Sequence, residues 1–147
     1  SIKSLEERGL DKQAEQIRNQ QRRENRETIL SFGKTFDFCP VYFFYAKDSE
    51  AIRKGDYQNK VFDANFEIVN IESDIAVFTA EFSETEVLGI DGLIIMDHQL
   101  LKFEDPLPYF ERRYVFFGLI ERSKAQIAEA YNEKLYDYLK LYPVNQD

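Results

Sequence analysis

Residues 39–46 read Cys-Pro-Val-Tyr-Phe-Phe-Tyr-Ala, the most continuous apolar run before the middle of the chain. Residues 41–45 are all β-branched or aromatic, and such side chains suit a pleated surface with neighbours on both faces. A strand with one exposed face would alternate apolar and polar residues, and this run does not alternate. The stretch therefore predicts a central strand that is covered on both sides.

The sequence before this strand predicts an N-terminal helix over residues 2–31. Ser4 and Glu7 have the spacing of a capping box, in which each side chain satisfies an otherwise unpaired backbone amide. Gly9 predicts a kink or a stop, and Gly33 is well placed to end the helix.

A second helix is predicted at the other end of the chain. Ser123 and Gln126 again have capping-box spacing, and Pro143 ends the segment. Apolar residues recur at intervals of three and four, as Ile127, Tyr131, Leu135, Tyr138 and Tyr142. This is the pattern of a helix with one face on the core.

Further strand candidates lie between the helices, at residues 60–63, 66–69, 75–82, 93–96, 100–103 and 114–117. Strands between two helical segments are typical of an α+β fold. We expect a mostly antiparallel sheet of about five strands, with a long N-terminal helix and a C-terminal helix packed on it. The 147 residues fit a single domain. It divides into an N-terminal helical segment (1–32), a sheet region (36–120) and the C-terminal helix (123–142).

The charge of the chain is unevenly distributed. The net charge is −8, yet residues 1–36 carry eight basic and six acidic side chains. Residues 37–147 carry eleven basic and 21 acidic side chains. An acidic body repels phosphate backbones and anionic lipids, so we expect neither nucleic-acid binding nor docking on an anionic membrane. The apolar runs are too short to span a bilayer, so we also expect no membrane insertion.

Within the N-terminal helix, residues 18–27 contain no apolar side chain. A helix without an apolar stripe cannot be held by core packing. It can project into solvent, bridge to another subunit, or lie on the acidic body through its four arginines. We therefore expect any protein partner, or a second copy of the chain, to bind through residues 10–32.

His98 is the only histidine, and it stands beside Asp97 and a few residues after Asp91. A histidine with a neighbouring carboxylate can act as a general base. Adjacent residues in an extended chain, however, point in different directions. We interpret Asp97-His98-Gln99 as a hairpin turn between two apolar runs. A small hydrolase that uses His98 with Asp97 or Asp91 is the alternative.

The sequence predicts neither a metal site nor a cofactor. The single cysteine excludes an internal disulfide, a Cys-x-x-Cys pair and a Cys₂His₂ zinc site. Residues 63–105 hold eleven carboxylates, but these are scattered and form no calcium-binding loop pattern. No phosphate-binding glycine loop and no His-Glu-x-x-His motif occurs. Cys39, between Phe38 and Pro40, is expected to be a buried small apolar residue.

The best candidate for a recognition surface follows two prolines, Pro106 and Pro108. Prolines fix an extended loop, rings offer a stacking surface, and paired arginines can clamp a carboxylate or phosphate. The candidate ligand-binding residues are Tyr109, Phe110, Arg112, Arg113 and Tyr114. The alternative is a rigid connector whose rings pack on the core. Its arginines would then neutralise the nearby acids Glu104, Asp105 and Glu111.

Residues 41–46, followed by a polar turn and a short helix, resemble the strand that precedes the active site of thioredoxin-like proteins. The positions that carry Cys-x-x-Cys in that family are Lys47-Asp48-Ser49-Glu50 in this chain. Because these positions contain no thiol, the resemblance implies no redox activity for this chain.

These observations favour a non-catalytic domain that binds a partner or assembles with itself. The alternatives are the hydrolase described above and a domain that binds a small ligand through residues 109–114. The chain begins Ser-Ile-Lys and contains only one methionine, Met96, so we interpret its start as processed or engineered. A removed signal peptide is one explanation of this start, and the sequence does not indicate the compartment.

Overall fold

The structure is a computed structural model that describes residues 2–7, 9–72, 75–86, 88–103 and 106–143. The helices in these ranges are α1 (Ile2–Glu7), α2 (Asp11–Thr35), α3 (Ser49–Arg53) and α4 (Lys124–Leu141). The strands are β1 (Thr79–Glu84), β2 (Asp91–Met96), β3 (Phe110–Arg112), β4 (Tyr114–Val115) and β5 (Ile120–Glu121). The fold is α+β with antiparallel strands, as the sequence predicts, but the strands form two small sheets.

Strand β2 is the centre of the larger sheet, with β1 on one side and β3 on the other. Ala80 of β1 lies opposite Ile95 of β2, and Leu93 of β2 lies opposite Glu111 of β3. The inner residues of β2 are buried one after another, so this strand is covered on both faces. The smaller sheet is the hairpin β4–β5.

The predicted central strand at residues 39–46 is wrong. Its only ladder contact is the bridge between Phe43 and Phe62, which exchange two backbone hydrogen bonds of 2.8 and 2.9 Å. Tyr42 and Tyr45 are exposed, so the segment is not covered on both faces. Its rings pack individually, and the Tyr45 ring lies on the Phe62 ring with centroids 5.1 Å apart. The apolar run therefore reflects aromatic packing of an irregular segment, while the central strand is β2.

Cys39 is exposed, contrary to the expectation that it is buried. The neighbouring Phe38 turns its ring onto the edge of the Tyr136 ring, with centroids 5.2 Å apart. Phe38 is thereby anchored on α4, while Cys39 and Pro40 stay at the surface.

The main core lies between the second half of α2, helix α4 and one face of β2. Its buried members are Phe32, Leu93, Ile95, Ile127, Ala128, Tyr131 and Leu135. Aromatic residues pack around this cluster, among them Phe36, Phe43, Phe82 and Phe103. A buried hydroxyl is also satisfied there, since Tyr131 donates a 2.9 Å hydrogen bond to the carbonyl of Pro108.

The N-terminal helix is interrupted at Gly9, whose φ of 71° requires the left-handed region. The result is a short helix α1 and a long helix α2. Ser4 lies inside α1, so the capping box predicted at Ser4 is wrong. Gly33 lies inside α2, which continues to Thr35 because Phe32 packs in the core and its carbonyl accepts the amide of Phe36.

Helix α4 confirms the C-terminal helix predicted at residues 123–142. Ser123 accepts a hydrogen bond from the amide of Gln126, and the Gln126 side chain accepts one from the amide of Ser123. The apolar stripe is buried at Ile127, Tyr131 and Leu135. Tyr138 and Tyr142, at the end of the stripe, stack on each other with centroids 4.9 Å apart.

The remaining strand predictions are confirmed only in part. The segment predicted at residues 75–82 forms a strand from Thr79 to Glu84. Residues 100–103 contribute the single bridge between Lys102 and Met96, and residues 60–69 contribute bridges of Phe62 to Phe43 and Ile68.

Candidate functional site

The predicted recognition residues lie on β3, on β4, directly before β3 and between the two strands, and they have different surroundings. Tyr109 and Phe110 contribute to the sheet. The Tyr109 carbonyl accepts the amide of Ile95 at 2.8 Å, which extends the β2–β3 pairing. The Phe110 ring lies over Gly92, so close that a Cβ atom there would come within 2.8 Å of it. The Phe110 side chain therefore contributes to the packing of the sheet.

The two neighbouring arginines point to different surroundings. Arg113 places its Nε 2.6 Å from a carboxylate oxygen of Asp91 and its Nη1 3.8 Å from one of Glu121. It thus ties the base of the β4–β5 hairpin to β2. Arg112 is exposed, and no acidic partner is found for it among the described residues. The sequence predicts that the two arginines together clamp a carboxylate or phosphate, and this arrangement does not match that prediction.

Glu111 anchors the same region to helix α4. Its buried carboxylate forms ion pairs with Arg122, at 2.5 Å, and with Lys134. Lys134 also donates a 3.2 Å hydrogen bond to the carbonyl of Phe110. The base of the hairpin is therefore held by charged contacts on both sides. The other acids named for this region, Glu104 and Asp105, lie outside the described residues.

Beyond this fixed base, the β4–β5 hairpin projects an apolar tip. The amide of Leu119 donates to the carbonyl of Phe116 at 3.2 Å, which closes a four-residue turn. Phe117 and Gly118 at its centre have φ of 59° and 83°, as in a type I′ turn, and Phe116 has φ of 51°. Bulky residues rarely adopt this region, so two consecutive phenylalanines are unusual here.

The side chains of the tip are almost completely exposed. The exposed fraction is 70% for Phe116, 105% for Phe117 and 84% for Leu119. Ile120 and Tyr114 on the two strands are also exposed. Val115 lies opposite Ile120 and Tyr114 lies opposite Glu121, so Tyr114 and Ile120 lie on opposite faces of the hairpin. We call residues 114–120, with the exposed side chains of Phe116, Phe117 and Leu119 at the turn, the hairpin tip.

A surface depression of about 420 Å³ lies along this hairpin. Its lining is mostly apolar and comes from Ile90, Tyr114, Val115, Phe116, Phe117 and Gly118, with Arg112 as its one charged residue. Of the predicted candidates, the structure thus brings together Arg112 and Tyr114. Tyr109, Phe110 and Arg113 do not line this depression.

The sequence pattern predicts a strand over residues 114–117, whereas in the structure this strand ends at Val115 and the turn begins at Phe116. Gly118, between two apolar dipeptides, was the available signal. A glycine inside an apolar run often marks a turn, and a turn there exposes the residues beside it.

The two carboxylates of the alternative catalytic pair, Asp97 and Asp91, each have a structural contact. The Asp97 carboxylate accepts the amides of Gln99 and Leu101, at 2.8 and 2.9 Å, and so stabilises the turn after β2. His98 is exposed on this turn, and within the described ranges it has no hydrogen bond or ion pair to a carboxylate. Asp91, the other candidate partner, is bound to Arg113.

The N-terminal segment expected to bind partners extends from the body. From Asp11 to Glu27 of α2, only Ala14 is buried. The contact with α4 begins at Glu24 and Thr28, where Lys124 donates hydrogen bonds of 3.2 Å to the Glu24 carbonyl and 2.9 Å to the Thr28 hydroxyl. We call residues 11–27 the helical arm.

The exposed area of the whole chain is large for its mass. It amounts to 10,986 Å² for 17.4 kDa. A folded monomer of this mass is expected to expose about 7,900 Å². The difference of about 3,000 Å² exceeds the area that a standard protein interface buries, about 1,600 Å².

Neither a metal site nor a membrane-spanning helix is found among the described residues. No group of three or more His, Cys, Asp or Glu side chains in them is arranged to hold a metal ion. No helix in them has both the length and the apolar character required to cross a bilayer. Comparison of the chain with known family models, curated proteins and solved structures gives no match.

Proposed function

We propose that this chain is a non-catalytic domain that binds a protein partner through the hairpin tip. The observation that carries the proposal is the exposure of Phe116, Phe117 and Leu119 on one turn. A contiguous exposed apolar patch is typical of an interaction surface. Burying each of these side chains contributes about 1.5–3 kcal/mol, which is a sufficient driving force for association.

The hairpin is also well suited to binding because it is held in place before a partner arrives. Arg113 and Glu111 fix its base to β2 and to α4. A surface that is already ordered loses less conformational entropy on binding. The left-handed backbone at Phe116 and Phe117 costs stability, and neither ring has a ring contact in the described part of the chain that would offset this cost. Contacts with a partner would offset it.

The depression indicates the chemistry of that partner. Its apolar walls favour aliphatic or aromatic side chains, and the exposed guanidinium of Arg112 favours a carboxylate. Most of the lining comes from one hairpin, so the depression is a surface groove that suits an extended protein segment better than a small molecule. The preferred partner is therefore a segment with apolar residues and an aspartate or glutamate.

We assign no role in partner binding to His98. Asp97 is engaged by two backbone amides and Asp91 by Arg113, so neither carboxylate is placed to orient the imidazole. General-base catalysis by histidine commonly depends on such an orienting group. Binding is for this reason a better-supported proposal than hydrolysis.

A random peptide library displayed on phage tests the proposal. We expect the wild-type chain to enrich peptides that combine apolar residues with Asp or Glu. In fluorescence anisotropy with an enriched peptide, Phe117→Ser should weaken binding about 30-fold, the loss typical of an interface hot spot. Arg112→Ala should weaken it less and should remove its salt dependence.

Leu141→Ser is the control, because Leu141 is another apolar residue with a largely exposed side chain, at the end of α4. It should leave peptide binding unchanged. If no peptide is enriched, or if enriched peptides bind the Phe117→Ser variant as tightly as the wild type, the hairpin tip is not the binding surface.

A further inference from the structure

The helical arm carries a stripe of arginines on one side. Arg18, Arg22 and Arg26 follow one another at intervals of four residues, and all three are exposed. Residues four apart lie above one another on a helix, and like charges at this spacing destabilise it. Arg18 is neutralised by Glu6 of α1. Arg22 and Arg26 have no ion pair among the described residues. The stripe is thus a surface that an acidic partner would stabilise.

Helix α4 carries an acidic stripe with the same spacing. Glu129, Glu133 and Asp137 are exposed and also stand four residues apart. Asp137 has only an exposed pair with Lys140, at 2.8 Å. Glu129 and Glu133 form no ion pair within the described ranges. Successive charges in both stripes are separated by about 6 Å along their helix axes, so two such helices can pair charge by charge.

The two stripes form no ion pair with each other in the part of the chain that the structure describes. The second half of α2 packs beside α4, where the rings of Phe36 and Tyr131 stack with centroids 6.2 Å apart. Lys124, the first residue of α4, donates to the carbonyl of Glu24 at 3.2 Å. The arm before Glu24 therefore extends past the start of α4, whereas the acidic stripe lies further along α4 in the other direction. At 1.5 Å per residue, the far ends of the stripes, Arg18 and Asp137, are about 28 Å apart along the helix axes. The near ends, Arg26 and Glu129, are about 5 Å apart along these axes, yet both are exposed and unpaired among the described residues.

We propose that two copies of the chain form a two-fold symmetric dimer in which the arginine stripe of each arm lies on the acidic stripe of α4 in the other copy. A two-fold interface repeats every contact twice, so each copy contributes one basic and one acidic surface. The excess exposed area of about 3,000 Å² per chain is sufficient for such a dimer and for a further partner. This inference concerns a different surface from the hairpin tip and does not depend on it.

Sedimentation velocity and multi-angle light scattering on the full chain test the dimer. We expect a dimer in dilute buffer that dissociates in about 1 M salt, where charges are screened beyond about 3 Å. The arm variant with Arg22→Glu and Arg26→Glu should be monomeric, and so should the α4 variant with Glu129→Lys and Glu133→Lys. In each variant, the arm of one copy and the facing α4 of the other carry like charges, and this repulsion occurs in both symmetry-related halves of the interface.

Mixing these two monomeric variants provides the decisive measurement. The acidic arm of one then meets the basic α4 of the other, and the unchanged arm meets the unchanged α4. We expect an equimolar mixture to form a heterodimer with a dissociation constant within about tenfold of the wild-type value. Recovery in the mixture also shows that the monomeric variants are folded.

A control variant carries Arg23→Glu and Lys34→Glu, which change the net charge equally. Both residues are exposed on α2 and lie about 100° and 120° around the helix from Arg22, since the helix advances about 100° per residue. This variant should still dimerise. A wild-type chain that is monomeric in dilute buffer overturns the proposal, as does a mixture that stays monomeric. If the wild type binds duplex DNA and the arm variant does not, the arginine stripe binds phosphates, and the proposal is also overturned.

Discussion

Gly92 lies so close to Glu111 that a Cβ atom on Gly92 would be 2.2 Å from the Glu111 backbone carbonyl oxygen. We therefore expect Gly92→Ala to force β2 and β3 apart and to lower the free energy of unfolding by about 3 kcal/mol, at the upper end for overpacking. Urea denaturation followed by circular dichroism measures this change.

Gly33→Ala is the matched control for this substitution. Gly33 lies inside α2 with no atom near its missing Cβ, so alanine should raise the free energy of unfolding by about 0.5–1 kcal/mol. Opposite signs at the two glycines are the expected result. A Gly92→Ala variant as stable as the wild type would show that the two strands are further apart than the structure places them.

The charged contacts of Glu111 give a second prediction. The side chain is buried between Arg122 and Lys134, so Glu111→Gln leaves two cations without their shared carboxylate. We expect the free energy of unfolding to fall by about 3 kcal/mol, as for other partly broken buried pairs. Glu50→Gln is the control, since the ion pair of Glu50 with Lys54 is exposed and should contribute little. Equal losses for the two variants would contradict a structural role for Glu111.

The parts of the fold that the sequence predicts are those with local signals. Helix α4 was correctly placed because its capping box and its apolar period lie within the helix itself. The central strand was misplaced because β2 and residues 39–46 are both apolar, and a strand requires partners that are distant in sequence. Residues 39–46 pair only with Phe62, whereas β2 pairs with two strands.

The candidate site was predicted only in part for a similar reason. Arg112 and Arg113 are equivalent in the sequence, and only the position of Asp91 distinguishes the arginine that supports the hairpin from the one that stays exposed. Phe116 and Phe117 have strong strand propensity, yet the turn at Gly118 places them at an exposed tip. The left-handed turn overrides the local preference for a strand at these two residues.

Burial of Tyr131 predicts how stability depends on alkaline pH. Desolvation, with a smaller contribution from Cys39, raises the pKa of the Tyr131 hydroxyl above its ordinary value of about 10. Above pH 10, the unfolded chain loses this proton while the folded chain retains it. The unfolded state then binds fewer protons, so stability falls as the pH rises, by up to about 1.4 kcal/mol per pH unit.

Tyr131→Phe should change this dependence in a defined way. At neutral pH the variant loses the hydrogen bond to Pro108, which costs about 1 kcal/mol. Above pH 10 the wild type loses stability through Tyr131 and the variant does not, so the difference between them should shrink and then reverse. Urea denaturation at a series of pH values measures both curves. Parallel curves above pH 10 would show that the hydroxyl is not buried as described.

The turn at the hairpin tip allows stability and binding to be separated. Phe117 and Gly118 occupy the central positions of a type I′ turn, for which Asn-Gly is the preferred pair. Phe117→Asn should raise the free energy of unfolding by about 0.5–1 kcal/mol, because asparagine tolerates the left-handed region and the exposed ring loses no intramolecular contact. The same substitution should weaken binding of the peptides selected by the wild-type chain. A less stable Phe117→Asn variant would mean that the ring packs on the folded chain, and the exposed tip would then not be available for a partner.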